Sequence, residues 1–512
     1  MTPPNTFIPQ TLVSGVLAST RAHPRKIALA EGERHLSYGD LADRIYQVAS
    51  AALQSGFQPR DNIALISPNS LEYPEIVLGL SLVGIQTVLI NPRLTSSEVD
   101  SILQDSGAAG IIIHRSVAGL ISNSHCGLQD RAIIIGENYD AWRSEALRKD
   151  FDDLIQEVQE WDTFALGYTA GTTGKPKGVM LSHRSRVLTF LSMSVAYGCY
   201  SPDDRSLALA PMYHGAGFAF GIAPIFFGGF CEIMPKFDPE KVLHKLSTLA
   251  LTNTFMVPTH FNAIFSLSSE LRGQHLFPAL KTIISNAAPL PQATKEKIVE
   301  YFGGNVLHET YGSTEAGIVT NLRPQDQLRK IRCVGQPFPL TQIQLRNDEH
   351  KEVGPGEVGE LFSRSPYLFN GYWNRPDATV ETFHNGWVSV GDLAVRDDEG
   401  FYYIVDRKKD VIISGGVNIY PREIEEILYR HPAVAEAAVI GVSDSYWGES
   451  AKAFVVQKPG TSLTKEDLES HCRDSLAGFK IPKTYEWIEA LPRNAAGKVL
   501  KQELKQLTKE ES

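Results

Sequence analysis

The segment Tyr168–Val179, YTAGTTGKPKGV, gathers Thr169, Gly171, Thr172, Thr173, Gly174, Lys175 and Lys177 within twelve residues. Glycines let backbone N–H groups come close to an anion, hydroxyls donate to it, and ammonium groups supply charge, so the composition suits phosphate. A Walker loop, G-x-x-x-x-G-K-[ST], is the obvious comparison. The match fails twice, because Thr169 stands where the first glycine belongs and Pro176 follows Lys175 where a hydroxyl belongs. The flanking FALGY and VML both read as strands, whereas a Walker loop opens a helix. The reading is a phosphate-holding loop between two strands, with a plain surface turn as the alternative for the glycines alone.

Such a loop needs a scaffold, and the chain supplies an alternating one. LSYGDLADRIYQVASAAL has Leu41, Ile45, Val48 and Ala52 at helical spacing after Ser37, an expected N-cap, and NIALIS then reads as a strand. EIVLGLSLVGI and TVLINP repeat the order. DTFALGYT, LALAP, TFMVP, TIISNAA and NVLHETYG are short apolar runs that end in turns or polar residues, where ligands of α/β folds usually bind. Glycine-separated strands dominate from about 334 to 405, and helix–strand alternation then resumes. The expected architecture is multidomain α/β: a large N-terminal domain of layered α/β subdomains plus a β-rich subdomain (1–405), a hinge (406–410), and a small mobile α+β C-terminal domain (411–512).

A chain of 512 residues exceeds one hydrophobic core, and its 43% hydrophobic and 21% charged content is that of a folded globular protein. The net charge of -10 disfavours nonspecific nucleic-acid binding. Cys126, Cys199, Cys231, Cys333 and Cys472 are odd in number, scattered and never in a CxxC pattern, which points away from a disulfide framework and a zinc site and toward a reducing cytoplasm. No export signal is read at either end. Leu207–Cys231 lacks Asp, Glu, Lys and Arg, but its prolines, its glycines and His214 favour a buried strand, a glycine-rich loop and a core helix over a membrane span.

YTAGTTGKPKGV resembles the phosphate-binding signature of the adenylate-forming superfamily, which includes acyl-CoA synthetases, adenylation domains and firefly luciferase. Further motifs follow in that family's order across nearly the whole chain: YGSTEAG (311–317), GWVSVGDLA (386–394), DRKKDVIISGGVNIYPREIE (406–425) and PRNAAGKVLK (492–501). Ala170 departs from the usual serine, and Asn286 in SNAAPL replaces a usual glycine. The resemblance implies attack of a carboxylate on the α-phosphate of ATP, release of pyrophosphate, and transfer of the acyl group from AMP to a thiol. Both reactants of the first step are anions, so the site must concentrate cations and oriented donors.

By the same resemblance the opening loop covers the departing phosphates, Thr314 donates to the α-phosphate and Glu315 holds magnesium. Asp392 meets the ribose hydroxyls with help from Arg407. Ala287, Ala288 and Pro289, with His308, Glu309, Thr310, Tyr311 and Gly312 of HETYG, hold the adenine and AMP. Lys498 bridges the carboxylate and the α-phosphate. Rotation about Lys409 then withdraws Lys498 and brings Gly415 and Gly416 to line a pantetheine passage gated by His214.

The acyl pocket is expected around His214, Gly215, Ala216, Gly217, Met256, Ala287, Thr310, Gly312, Gly317 and Ile318. Because Leu207–Cys231 contains neither an acid for an α-ammonium nor a cation for a second carboxylate, an apolar aliphatic or aromatic acid is favoured. Coenzyme A is the expected thiol, through Arg93, Trp447, Phe479, Lys480 and Lys483; a carrier-protein pantetheine is the alternative. The oligomeric state stays open between monomer and homodimer.

Overall fold

The computed structural model describes residues 9–122, 124, 126–146, 157–169, 176–493 and 499–510. Its first sheet has six strands in the order Ile133–Ile135, Gly110–His114, Asn62–Ile66, Gln86–Ile90, Thr163–Thr169 and Lys177–Ser182. All neighbours are parallel except the last pair, an antiparallel hairpin. Every residue of Asn62–Ile66 and of Gln86–Ile90 is buried, as continuous apolar strands covered by helices on both faces must be. The helix Tyr38–Gln54 that packs on this layer begins at the expected cap: the Ser37 hydroxyl accepts the Asp40 N–H at 3.1 Å, and Asp40 returns the bond to the Ser37 N–H.

A nine-stranded sheet forms the second layer, with Leu307–Ser313, Thr282–Ser285, Asn253–Met256, Arg205–Ala208, Phe230–Ile233 and Ile27–Glu31 running parallel at its centre. Gly317–Leu322 folds back antiparallel on Leu307–Ser313. One apolar core joins the two layers, running from Leu65 and Phe164 through Phe190 and Phe218 to Ile318 and Tyr367. The charge-free segment resolves into the strand Arg205–Ala208, a loop and the helix Gly215–Phe226, whose last ten residues are all buried. Among the described residues no helix is long and apolar enough to cross a membrane.

The glycine-punctuated region forms a wholly antiparallel sheet that includes Gly359–Arg364, Asp392–Arg396 and Tyr402–Arg407. After the short turn Lys408–Asp410, a five-stranded sheet is built on Val434–Asp444 and Gly448–Gln457. Helices Pro421–Arg430 and Lys465–Arg473 cover one face of it over an apolar cluster around Ile424, Val439 and Leu468. Leu491 and Leu504 cover the other face over Ile440 and Phe454. A core of its own makes this lobe a separable packing unit.

Candidate active site

The hairpin Thr163–Thr169/Lys177–Ser182 flanks the expected phosphate loop, with Thr169 paired to Lys177 at its open end. Ala170, Gly171, Thr172, Thr173, Gly174 and Lys175 lie outside the described residues. At the hairpin's tip the Tyr168 hydroxyl donates to Asp105 at 2.8 Å, and Arg375 donates to the other oxygen of the same carboxylate at 2.5 Å. The loop's stem is thereby tied to the helix Ser96–Ser106.

Glu315 and Lys177 come together on one side chain. The Tyr372 hydroxyl donates to the Glu315 carboxylate at 2.9 Å, and the Lys177 ammonium sits 5.0 Å from the centre of the Tyr372 ring. A cation over an aromatic face is favourable, so Tyr372 holds the expected metal carboxylate and a loop cation in fixed relation. Burial first, and then the negative Glu315, push the Tyr372 phenol well up, which keeps it a donor. Thr314 lies beside both the hairpin and the 215–226 helix: its methyl is 3.7 Å from where a Cβ on Gly167 or on Gly215 would stand.

Asp392, Tyr311 and Arg407 form a second constellation. The Tyr311 hydroxyl donates to one oxygen of Asp392 at 2.5 Å, and Arg407 Nε lies 3.0 Å from the other. The carboxylate is buried but held from both sides, the arrangement a buried charge requires. Ala287 has a left-handed φ of 77°, and its N–H reaches the Asn286 side chain at 2.5 Å, so the asparagine that stands in place of the usual glycine bonds to the turn it occupies. Ala288 is half-buried and Pro289 exposed beside it. His308 is pushed down to about 4 by burial, with its Nδ1 against Asn321. Glu309 is paired to the buried Lys295. The Thr310 hydroxyl is enclosed, facing the Tyr197 hydroxyl.

Around the expected acyl pocket, His214 stands at the N-cap position of the 215–226 helix without a side-chain capping bond; its Nε2 is enclosed and unpartnered, and burial, then the Arg93 charge, push it down to about 4. Gly215 and Ala216 are half-buried. A Cβ on Gly217 would stand 2.0 Å from the Pro211 carbonyl oxygen, so that glycine lets the helix start against the preceding loop. Gly312 is used in the same way, with the Gly317 carbonyl oxygen 2.0 Å from its missing Cβ. Met256 and Ile318 are buried on strands of the same nine-stranded sheet, with two strands between them.

In the C-terminal lobe, Gly415 lies under Trp447, whose ring is 2.6 Å from where a Cβ would be, and Lys483 stands 5.7 Å over that ring. Lys483 is also paired with Asp444 at 2.5 Å, and Lys480 with Glu423 at 2.8 Å. Gly416 and Phe479 are exposed. Lys409 is exposed in the turn after Lys408, which reaches Asp348 and Glu360. Lys498 lies outside the described residues; Lys501, three residues on, pairs with Glu425 at 2.7 Å. Tyr372, Asp105, Arg375 and Lys295 escaped the sequence reading, because nothing in their local spacing points to partners far off in the chain.

A hairpin flanking a glycine-rich segment, a carboxylate clamped by tyrosine and arginine, and a small lobe with its own core can be set beside known proteins. The AMP-binding enzyme profile matches residues 17–373, and that of the AMP-binding enzyme C-terminal domain matches residues 423–498. The chain belongs to the AMP-binding enzyme family. Within that family it is 34% identical to a feruloyl-CoA synthase of an Amycolatopsis species, over 97% of this chain and 99% of that protein. It is 33% identical to a 2-succinylbenzoate–CoA ligase of Bacillus cereus (98% and 99%) and 33% identical to a long-chain-fatty-acid–CoA ligase of Bacillus subtilis (97% and 94%). Among solved structures of the family, o-succinylbenzoate CoA synthetase from Bacillus subtilis, bound to its acyl-adenylate intermediate, superposes with a TM-score of 0.87 at 28% identity, covering 96% of this chain and 97% of that one. ATP-bound MatB from Rhodopseudomonas palustris gives 0.87 at 28%, covering 98% and 99%.

Proposed function

We infer that the protein is an AMP-forming acid–CoA ligase, converting an aromatic or aliphatic carboxylic acid to its CoA thioester through an acyl-adenylate. The observation that carries this reading is the pair of constellations flanking the phosphate hairpin: Asp392 held by Tyr311 and Arg407, and Glu315 joined to Lys177 through Tyr372. The first offers an acceptor for ribose hydroxyls, and the second places positive charge and a metal-ready carboxylate beside the loop that takes the leaving phosphates.

Among the described residues no group of three or more His, Cys, Asp or Glu could hold a metal alone. Magnesium in nucleotide sites rests on one or two carboxylates plus phosphate oxygens, so a single Glu315 with one carboxylate oxygen on Tyr372 fits that ion. When bound, magnesium supplies Lewis-acid stabilisation of phosphate charge. Thr314 donates to the α-phosphate, Lys177 balances charge on the departing pyrophosphate, and Lys498 is brought by the C-terminal lobe to the joining anions. The lobe then turns about Lys409, and Gly415, Gly416 and the Trp447–Lys483 face guide the CoA thiol, with Arg93 supplying charge for the CoA nucleotide phosphates. The family's CoA ligases named above support CoA over a carrier protein, and the unpaired cysteines suit a reducing cytoplasm.

The test is pyrophosphate release across aromatic, aliphatic, amino and dicarboxylic acids, with and without CoA. Aromatic or aliphatic acids should release pyrophosphate and give a thioester that saturates with CoA. A response confined to amino acids, or thioester formation indifferent to CoA, overturns the reading.

A further inference from the structure

One carboxylate outside the two constellations joins elements that carry them. Asp105, near the end of the helix Ser96–Ser106, accepts the Tyr168 hydroxyl on one oxygen at 2.8 Å and the Arg375 guanidinium on the other at 2.5 Å. The two donors come from segments far apart in the chain. Tyr168 stands on the first strand of the phosphate hairpin, paired with Gly178 and one residue before Thr169. Arg375 ends the segment 370–375, which lies along the hairpin's second strand. There the Met180 N–H donates to the Gly371 carbonyl at 3.0 Å, the Asn370 N–H to the Met180 carbonyl at 2.9 Å, and the Trp373 N–H to the Gly178 carbonyl at 2.8 Å. Tyr372 belongs to that segment, with its hydroxyl on Glu315 and its ring beside Lys177.

After Trp373 the backbone turns through Asn374, whose φ of 50° is left-handed, and the Arg375 side chain then reaches Asp105. The carboxylate thus grips the hairpin twice, through Tyr168 on its first strand and through the segment bonded to its second. Burial first, and then the Asp105 hydrogen bond, push the Tyr168 phenol well up, which keeps it a donor; the Ser106 hydroxyl lies beside the same phenol. The grip stands at the wall of a cavity of about 340 Å3, lined also by Ser101, Gln104 and Pro176. With open space on one side, charge-assisted hydrogen bonds rather than close packing fix where these polar ends stand.

We propose that Asp105 is a positioning residue for nucleotide binding: by holding Tyr168 and Arg375 on one carboxylate, it sets Lys177 and, through Tyr372, Glu315 in the relation that Mg-ATP requires. The inference rests on the ligase reading above. Asp105 acts through the hairpin and the 370–375 segment, and neither carries the acyl pocket or the CoA face. Its loss therefore shows in the handling of Mg-ATP, not in that of the acid or of CoA.

The experiment compares the wild type with Asp105→Ala, Asp105→Asn, Tyr168→Phe and Arg375→Met, and with Asp105→Ala combined with each of the last two. It measures initial rates of pyrophosphate release, transfer of added acyl-adenylate to CoA, thermal melts, and calorimetric binding of ATP with and without magnesium. Asp105→Ala should raise both KM and Kd for Mg-ATP on the order of 10-fold. KM for the acid and the transfer to CoA should stay near wild-type values, without a matching loss of Tm. Asp105→Asn should recover part of the loss, because an amide oxygen still accepts one of the two donors. Tyr168→Phe and Arg375→Met should each reproduce part of it, and neither should add to Asp105→Ala, since all three break one linkage. Unchanged KM and Kd for Mg-ATP, an equal rise in KM for the acid, or full additivity in the double variants overturns the assignment. If Asp105→Ala does not fold, Asp105→Asn, Tyr168→Phe and Arg375→Met decide by the same split between nucleotide and acid. Should the wild type bind Mg-ATP while no acid releases pyrophosphate, the ligase reading falls, and the calorimetric comparison still decides for or against Asp105.

Discussion

Tyr372 touches both halves of the phosphate chemistry, and its two contacts separate by substitution. Tyr372→Phe removes the hydrogen bond to Glu315 and keeps the ring beneath Lys177. A hydrogen bond to a charged group is worth about 1.5–3 kcal/mol, so the magnesium concentration for half-maximal pyrophosphate release should rise on the order of 10-fold, and the affinity for Mg-ATP measured calorimetrically should fall in parallel. Tyr372→Leu should add a further loss of affinity for ATP without metal, because the cation also loses its platform. Lys498→Ala should slow adenylation by on the order of 100-fold or more while added acyl-adenylate still reacts with CoA; near-wild-type pyrophosphate release removes Lys498 from its assigned role. Glu315, Asp392 and Lys177 were legible because each lies in a run of residues whose order is itself informative. Tyr372 was not, since its meaning lies in what it meets across the fold.

Helices and strands were the most readable level, for a simple reason: parallel strands buried on both faces write themselves as apolar runs, and Ser37 announces a helix with a short side chain able to bond its free N–H groups. Small residues were less readable, because a missing side chain can mean room for a ligand or room for the backbone. Gly217 is the second case. Gly217→Ala drives a methyl into the Pro211 carbonyl, which belongs to backbone and cannot swing aside. The substitution should lower stability by about 1–3 kcal/mol and raise KM for the acid as the helix start shifts, read by thermal melts and initial rates.

At the scale of the molecule, four histidines, two of them buried and two half-buried, set an acid limit. Burial holds His183 down to about 3 and His214, His260 and His308 down to about 4, against an ordinary value of 6.5. Their folded values lie below the unfolded ones, so the unfolded chain binds more protons at low pH. The stability they contribute is complete above about 6.5 and drains as pH falls toward 4. The Tm should decline through that window, and His183→Gln, which removes the lowest of the four, should flatten the slope.

The small lobe also meets the body through Arg332, which pairs with Glu426 on the 421–430 helix. Both side chains are half-buried, and a pair still reached by solvent is worth on the order of 1 kcal/mol and weakens as salt screens it. If the lobe must let go and turn in every cycle, a clasp this slack serves better than a strong one: it sets the parked position without arresting departure, and it leaves the tempo of the cycle open to the surrounding electrolyte.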